Sequence, residues 1–276
     1  MKPVMGYLRA QGLLSVDYLD DMLLIGKDYK ECYMNIKVTR ILLESLGFIL
    51  NKEKCRLIPS KQCRFLGFDI DSHKYIISLS KEKKQKILDL ISNMINRSEC
   101  KIRDFAQLIG NLVAACPGVQ YGWAHIKTLE REKELALIFN GVNYEGKMLI
   151  SVGIKTDLLW WERNLPKAFA NFKNTSLDKV IFTDASTSGW GAVLENKEIH
   201  GFWTKKEKRE HINLLELKAI WLALQSFEAE IKNCHILLRV DNTTAIAYIN
   251  KMGGIKYQRF NTIAMQIWHW AEKNNI

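Results

Sequence analysis

Three carboxylates in this sequence stand where an ordinary solvated acid would be out of place. Asp184 follows the apolar run Val180-Ile181-Phe182, near the end of what reads as a strand buried on both faces. Thr187-Ser188-Gly189 then turns the chain, and residues 190–195 return as a second strand. Glu216 lies in the first turn of a helix predicted from about Asn213 to Phe227, with Leu217, Ile220, Trp221, Leu224 and Phe227 as its apolar stripe. Ala219 and Ala223 lie on the Glu216 side, where small residues let a helix approach a sheet. Asp241 ends a further strand-like run, Ile236-Leu237-Leu238-Arg239-Val240, and Asn242-Thr243 caps a helix expected to stop at Gly253-Gly254. Parallel pairing of the two strands would set Asp184 and Asp241 about 5 Å apart. Three converging carboxylates repel one another unless a cation sits among them, and hard oxygen ligands suit Mg²⁺ or Mn²⁺ rather than zinc. Two such ions about 3.5–4 Å apart activate water and stabilise the leaving oxygen in phosphodiester hydrolysis.

A second acidic site lies between Gly12 and Gly26. The apolar run Leu13-Leu14-Ser15-Val16 is followed by Tyr18-Leu19-Asp20-Asp21, then by Met22-Leu23-Leu24-Ile25, which reads as a hairpin with its charge at the bend. Adjacent carboxylates about 4 Å apart repel by roughly 1–4 kcal/mol between bulk-water and near-surface dielectrics. A structural turn would use Asn-Gly at lower cost.

The order strand-Asp, hairpin, helix-Glu, strand-Asp, helix, with the wording TDAS, ELKA and VDNTTA, resembles the ribonuclease H domain of retroelements. Tyr18-Leu19-Asp20-Asp21 resembles the YxDD signature of reverse transcriptases, and Phe65-Leu66-Gly67-Phe68 is similar to that family's primer-grip region. The wording KPVMGYLRAQG together with FLGF looks most like the tyrosine-recombinase retrotransposons of the DIRS type. The fold this implies is α/β (α+β): a partial polymerase palm with a helical thumb, followed by a ribonuclease H-like mixed β-sheet flanked by helices. The activities implied are RNA-directed DNA polymerisation and hydrolysis of the RNA strand of an RNA–DNA hybrid. Asp184, Glu216 and Asp241 would hold the nuclease ions, Asp20 and Asp21 would belong to the polymerase metal site, and a complete site takes two Mg²⁺ or Mn²⁺. Hybrid and template-primer nucleic acid are the implied partners, with other segments of the same polyprotein, and Tyr18, Phe65, Leu66 and Gly67 would meet nucleic acid.

The chain is then expected to divide into a late palm with the YLDD hairpin and primer grip (1–78), a thumb with connecting helices (79–165), a linker (166–178) and the nuclease domain (179–276). Ser80 reads as an N-cap for a helix bearing Ile87, Leu90, Ile91 and Met94, and a second helix runs from Ile102 to Ala115. Lys81, Lys83 and Lys84 crowd the first of these helices, where template-primer phosphates would pass, and Lys205 and Lys206 precede the Glu216 helix. A solvated basic face accounts for both clusters equally well. Helical patterns follow at about 121–139 and 155–165, the latter holding Trp160-Trp161, which read as packing in preference to base stacking. Reverse transcriptases of this type use a third metal-binding aspartate on an earlier strand, and only 17 residues precede Tyr18. The related nuclease domains end on a further strand and a fourth acid. The expectation is a piece lacking the fingers and early palm and the end of the nuclease domain. A catalytically inactive nucleic-acid-binding remnant is the alternative.

Composition bounds these readings. The chain has 276 residues, 47% of them hydrophobic, enough for about two domains. Lys and Arg outnumber Asp and Glu by 40 to 30, a net charge of +10 that favours a polyanionic partner. The six cysteines form no CxxC pair, and no run approaches the roughly 18 apolar residues of a membrane span. The expectation is an intracellular chain, cytoplasmic or nuclear, with no membrane partner. The histidines at 73, 125, 200, 211, 235 and 269 show no mutual spacing that demands metal or proton-transfer work.

Overall fold

The computed structural model describes residues 2–172 and 176–276. The chain is a mixed helix-and-sheet fold in two compact units, Met1–Ser80 and Lys81–Ile276.

In the first unit, helix α1 (Lys2–Ala10) buries Met5 and Leu8. Strands β1 (Leu14–Tyr18) and β2 (Asp21–Ile25) pair antiparallel with Tyr18 opposite Asp21, so Leu19-Asp20 form a two-residue turn and both aspartates are exposed at the tip. Helix α2 (Tyr29–Ser45) starts on Asp28, whose carboxylate accepts from the Glu31 N–H at 2.8 Å. Asn35 on α2 is buried and donates to the carbonyls of Leu14 at 2.7 Å and Ile25 at 3.0 Å, so one amide holds the base of both hairpin strands. Strands β3 (Gln62–Phe65), β4 (Phe68–Asp71) and β5 (Ile76–Leu79) form an antiparallel meander. The β3–β4 turn is Leu66-Gly67, with φ of 51° and 77°. Two successive positive φ angles match the right-handed twist of a hairpin, and glycine takes such an angle without a Cβ clash.

The second unit begins with α3 (Lys81–Ile95), β6 (Glu99–Lys101) and α4 (Ile102–Ala115), whose bounds are those the apolar spacing predicts. Helices α5 (Lys127–Phe139) and α6 (Val152–Asn164) complete a helical layer, with β7 (Lys147–Leu149) pairing antiparallel to β6. Ile87, Ile91, Phe105, Leu108, Leu112, Leu129, Leu158 and Trp161 form its fully buried interior. The helix expected from 121 starts only at Lys127, because a 3₁₀ turn with non-helical dihedrals at His125 occupies residues 124–126. The helix expected from 155 starts three residues earlier, where the Ser151 hydroxyl accepts from the Ile154 N–H at 3.1 Å. Of the expected linker at 166–178, residues 173–175 lie outside the described residues; a two-residue strand, β8 (Ala170–Asn171), precedes them.

Strands β9 (Lys179–Ala185), β10 (Gly189–Leu194), β11 (Lys197–Phe202) and β12 (Ile236–Arg239) form a sheet in the order β11-β10-β9-β12. The first three are antiparallel neighbours, and β12 runs parallel to β9. Helices α7 (Ile212–Ser226), α8 (Glu228–Ile231), α9 (Thr243–Asn250) and α10 (Gln258–Asn274) supply Leu217, Ile220, Ala223, Ile231, Ala245 and Ile267 to one core with Ile181, Ala192 and Leu194. The apolar run at the start of β9 is therefore not buried on both faces. Ile181 is fully buried while Phe182 points the other way and is 54% exposed. An unbroken apolar run carries no period, so it cannot reveal that one face is open. Helix α9 likewise ends at Asn250, ahead of the glycine pair, with Gly253 at φ 114°.

Candidate active site

Asp184, Glu216 and Asp241 meet at one end of this sheet, each offering a carboxylate oxygen within 4.8 Å of the others. The local sequence explains the convergence. Asp184 is on β9, and the parallel register of Arg239 opposite Phe182 brings the residue two beyond Arg239 level with it. Ala219 and Ala223, both fully buried, let α7 lie close against β9, and that approach carries Glu216 to the strand end. Polar contacts fix the two helix starts beside the acids. The Asn242 carboxamide accepts from the Ala245 N–H at 3.0 Å, capping α9, and donates to the Asn213 oxygen at 2.9 Å, while the Asn213 amide donates to Thr244 at 3.1 Å. His211 caps α7, its Nδ1 accepting from the Asn213 N–H at 3.2 Å. These residues carry no sequence signal beyond the capping preference of Asn.

The three acids are not equivalent. Asp184 and Asp241 are exposed, whereas Glu216 is 3% exposed. Burial, then the charges of Asp184 and Asp241, push the Glu216 carboxyl up to about 7, against the opposing pull of the Ala185 N–H that it accepts. Its Oε2 is buried without a hydrogen-bond partner among the described residues. A buried oxygen with no partner beside two like charges is stabilised by a cation, so the donor set fits Mg²⁺ or Mn²⁺.

Beside Asp184 and Asp241 the exposed face of the sheet forms a cleft of about 620 Å³ lined by these two, Gly191, Glu198, His200 and Arg239 among others. His200 and Arg239 are exposed in it, and neither was singled out by sequence spacing. They reach the cleft only because strand alternation and register put them on the Asp184 face.

The remaining residues expected to meet nucleic acid belong to other elements. Tyr18 is exposed beside Asp20 and Asp21 on the first hairpin, and those two aspartates join no further metal-ligating group among the described residues. Phe65 is half-buried and Leu66 exposed at the β3–β4 turn, with Gly67. Lys81 is exposed at the start of α3, burial lowers the Lys83 ammonium, and Lys84 donates to the carbonyls of Pro166 at 3.0 Å and Ala168 at 3.2 Å, which makes it a tie within its own unit. Lys205 and Lys206 are exposed ahead of α7.

A second cluster went unread in the sequence. The His125 ring is buried, with Nδ1 3.1 Å from Asp157 and Nε2 3.1 Å from Glu272, so both ring nitrogens face carboxylates. It stacks on Trp160 at 3.8 Å and on His269 at 4.8 Å between centroids. Trp160 donates to Glu272 at 2.8 Å, and Trp161 donates to the His125 carbonyl at 3.1 Å, so both tryptophans pack. Burial opposes charge on His125, but the hydrogen bonds to Asp157 and Glu272 outweigh it and raise the ring above its ordinary value. The His269 ring is held down by burial and by the His125 charge. With both nitrogens of His125 committed to carboxylates, the arrangement is that of a buried imidazolium ion pair.

No family model matches the chain. It is 25% identical over 276 residues to the enzymatic polyprotein of figwort mosaic virus (strain DxS), covering 91% of this chain and 37% of that protein. The chain is similar to viral enzymatic polyproteins. The putative enzymatic polyprotein of cassava vein mosaic virus is 25% identical over 273 residues, with 89% of this chain and 38% of that protein covered. That of cauliflower mosaic virus (strain Strasbourg) is 24% identical over 259 residues, with 84% and 34% covered. The chain thus spans little more than a third of the length of the curated relatives it matches. Among solved structures, the foamy viral protease-reverse transcriptase in complex with RNA/DNA hybrid aligns with a TM-score of 0.48 and 19% identity, over 96% of this chain and 36% of that one. Its dRH form in complex with double-stranded DNA gives 0.48 and 18%, over 98% and 46%. Among the described residues no helix is long and apolar enough to cross a membrane.

Proposed function

We propose that this chain is reverse transcriptase-related and that its sheet-bearing part hydrolyses the RNA strand of an RNA–DNA hybrid. The observation that carries the reading is the convergence of Asp184, Glu216 and Asp241, with the two aspartates lining an open cleft. Mg²⁺ or Mn²⁺ held there would supply a nucleophilic water and stabilise the oxyanions of the displacement. The chain's own part is to hold three oxygens in place. Asp184 and Asp241 meet the substrate side, and Glu216 reaches the cluster from the buried side of the sheet, anchored by the Ala185 N–H. Likeness to viral enzymatic polyproteins supports the class, and the net charge of +10 supports a nucleic-acid partner.

In the same reading Asp20 and Asp21 belong to the metal site of a polymerase, with Tyr18, Phe65, Leu66 and Gly67 beside template-primer. The described residues bring no third carboxylate to that pair, so cleavage and not polymerisation is the activity assigned to them. The wording KPVMGYLRAQG and FLGF supports a place among the tyrosine-recombinase retroelements, in which the remaining machinery would come from other segments of a polyprotein. The deciding experiment is cleavage of an end-labelled RNA–DNA hybrid with Mg²⁺ or Mn²⁺, beside Asp184→Asn. Cleavage that disappears in the variant is the expected result. A folded, hybrid-binding chain that leaves the RNA intact with either ion would overturn the nuclease reading in favour of a binding protein without catalysis.

A further inference from the structure

The three glycines of the β10–β11 hairpin differ in what they do for the fold. A Cβ at Gly189 would collide with the Gly201 carbonyl, and a Cβ at Gly201 would lie 2.7 Å from Nε1 of Trp190, so packing demands both. Gly191 is different. A Cβ there would have only the Ile199 carbonyl as a neighbour, at an ordinary 3.8 Å, and its backbone is not in the left-handed region. A glycine inside a strand weakens it, and where the pairing runs through without a bulge and packing does not require one, it often marks a place that a ligand or another backbone approaches closely.

The position says what approaches. Gly191 pairs with Asp184 on one side and with His200 on the other, so His200, Gly191 and Asp184 lie in one row across three strands. Directly paired residues share a face, and this is the exposed face that lines the cleft. At about 4.8 Å per strand, the missing side chain leaves a gap roughly two strand spacings wide between the imidazole and the acid cluster. Arg239, a cation on the same face, lines the same cleft from β12, beyond β9 and one row away, opposite Phe182.

We propose that Gly191 is a specificity-determining residue: its missing side chain is the opening through which the sugar–phosphate backbone of a nucleic-acid strand reaches Asp184, with His200 and Arg239 flanking the strand. The assignment rests on the nuclease reading above and adds to it a residue that no charge or titration would reveal. Gly191→Ala and Gly191→Val test it in the full chain, read by thermal melting, by Mn²⁺ binding in calorimetry and by binding of an RNA–DNA hybrid. Both variants are expected to melt no lower than the wild type and to bind Mn²⁺ as it does, while hybrid binding weakens about tenfold or more for Val and less for Ala. Hybrid binding and cleavage by Gly191→Val at the wild-type level would overturn the inference and leave the nuclease reading standing. A wild-type chain that binds Mn²⁺ but no hybrid would overturn both.

Discussion

The Glu216 carboxyl titrates near pH 7 because it is buried and faces Asp184 and Asp241, whereas in the unfolded chain it returns to its ordinary 4.5. Between those values the unfolded chain binds fewer protons, so stability declines with rising pH. The metal-free protein is accordingly expected to have this contribution in full below about pH 4.5 and to lose it by pH above 7. Thermal melts in chelator from pH 5 to 8 should show the decline in the wild type and lose that component in Glu216→Gln. Parallel curves for the two proteins would refute the assignment. A cation takes the place of the proton in this argument, so added Mg²⁺ should raise the wild-type melting temperature most at the alkaline end.

At the scale of elements, His125 joins the 3₁₀ turn at 124–126 to α6 through Asp157 and to α10 through Glu272. His269 stacks on the same ring, and Tyr121, whose hydroxyl donates to the Ile276 carbonyl at 2.9 Å, feels the charge of Glu272. Removing the ring leaves two carboxylates, one of them buried, without their cation, and His125→Ala should cost about 3–5 kcal/mol in denaturant unfolding. The pH dependence follows from the raised His125 value. Its contribution is complete below about 6.5, the ordinary histidine value, and is lost as pH rises through the folded value. Melts in the Glu216→Gln background isolate it, and a flat profile there from pH 6 to 9 would count against a charged His125. In the first unit, the β3–β4 turn places Gly67 at φ 77°. Gly67→Ala should therefore lower stability by about 1 kcal/mol, and an unchanged urea midpoint would show that the turn tolerates a Cβ.

For the molecule as a whole, the excess of 40 basic over 30 acidic residues should make hybrid binding strongly salt-dependent. Four phosphate contacts would weaken it roughly 100-fold between 50 and 200 mM salt. A flat salt profile would mean that base stacking, and not charge, carries the affinity. Lys205 and Lys206 are exposed and should each lower the slope when changed to Ala, whereas Lys84, bonded to two carbonyls within its own unit, should lower stability first.

The sequence by itself singled out the candidate acids and the elements under them. Asp184, Glu216 and Asp241 each interrupt a strong local pattern, and Asp20-Asp21 sit at a turn bounded by strand-forming runs, so short-range physics was enough. The helix Ile102–Ala115 was legible for the same reason, since its apolar residues repeat at helical spacing over four turns. Only the tertiary structure decided what depends on register and on contacts distant in the chain. Phe182 faces outward by strand alternation, and an unbroken apolar run has no period from which to read that open face. His200, Gly191 and Arg239 joined the acids through strand pairing, and His125 met Asp157 and Glu272 across 32 and 147 residues of sequence. Such partners leave no local trace, because the free energy that selects them is gained only when the sheet and helices have packed.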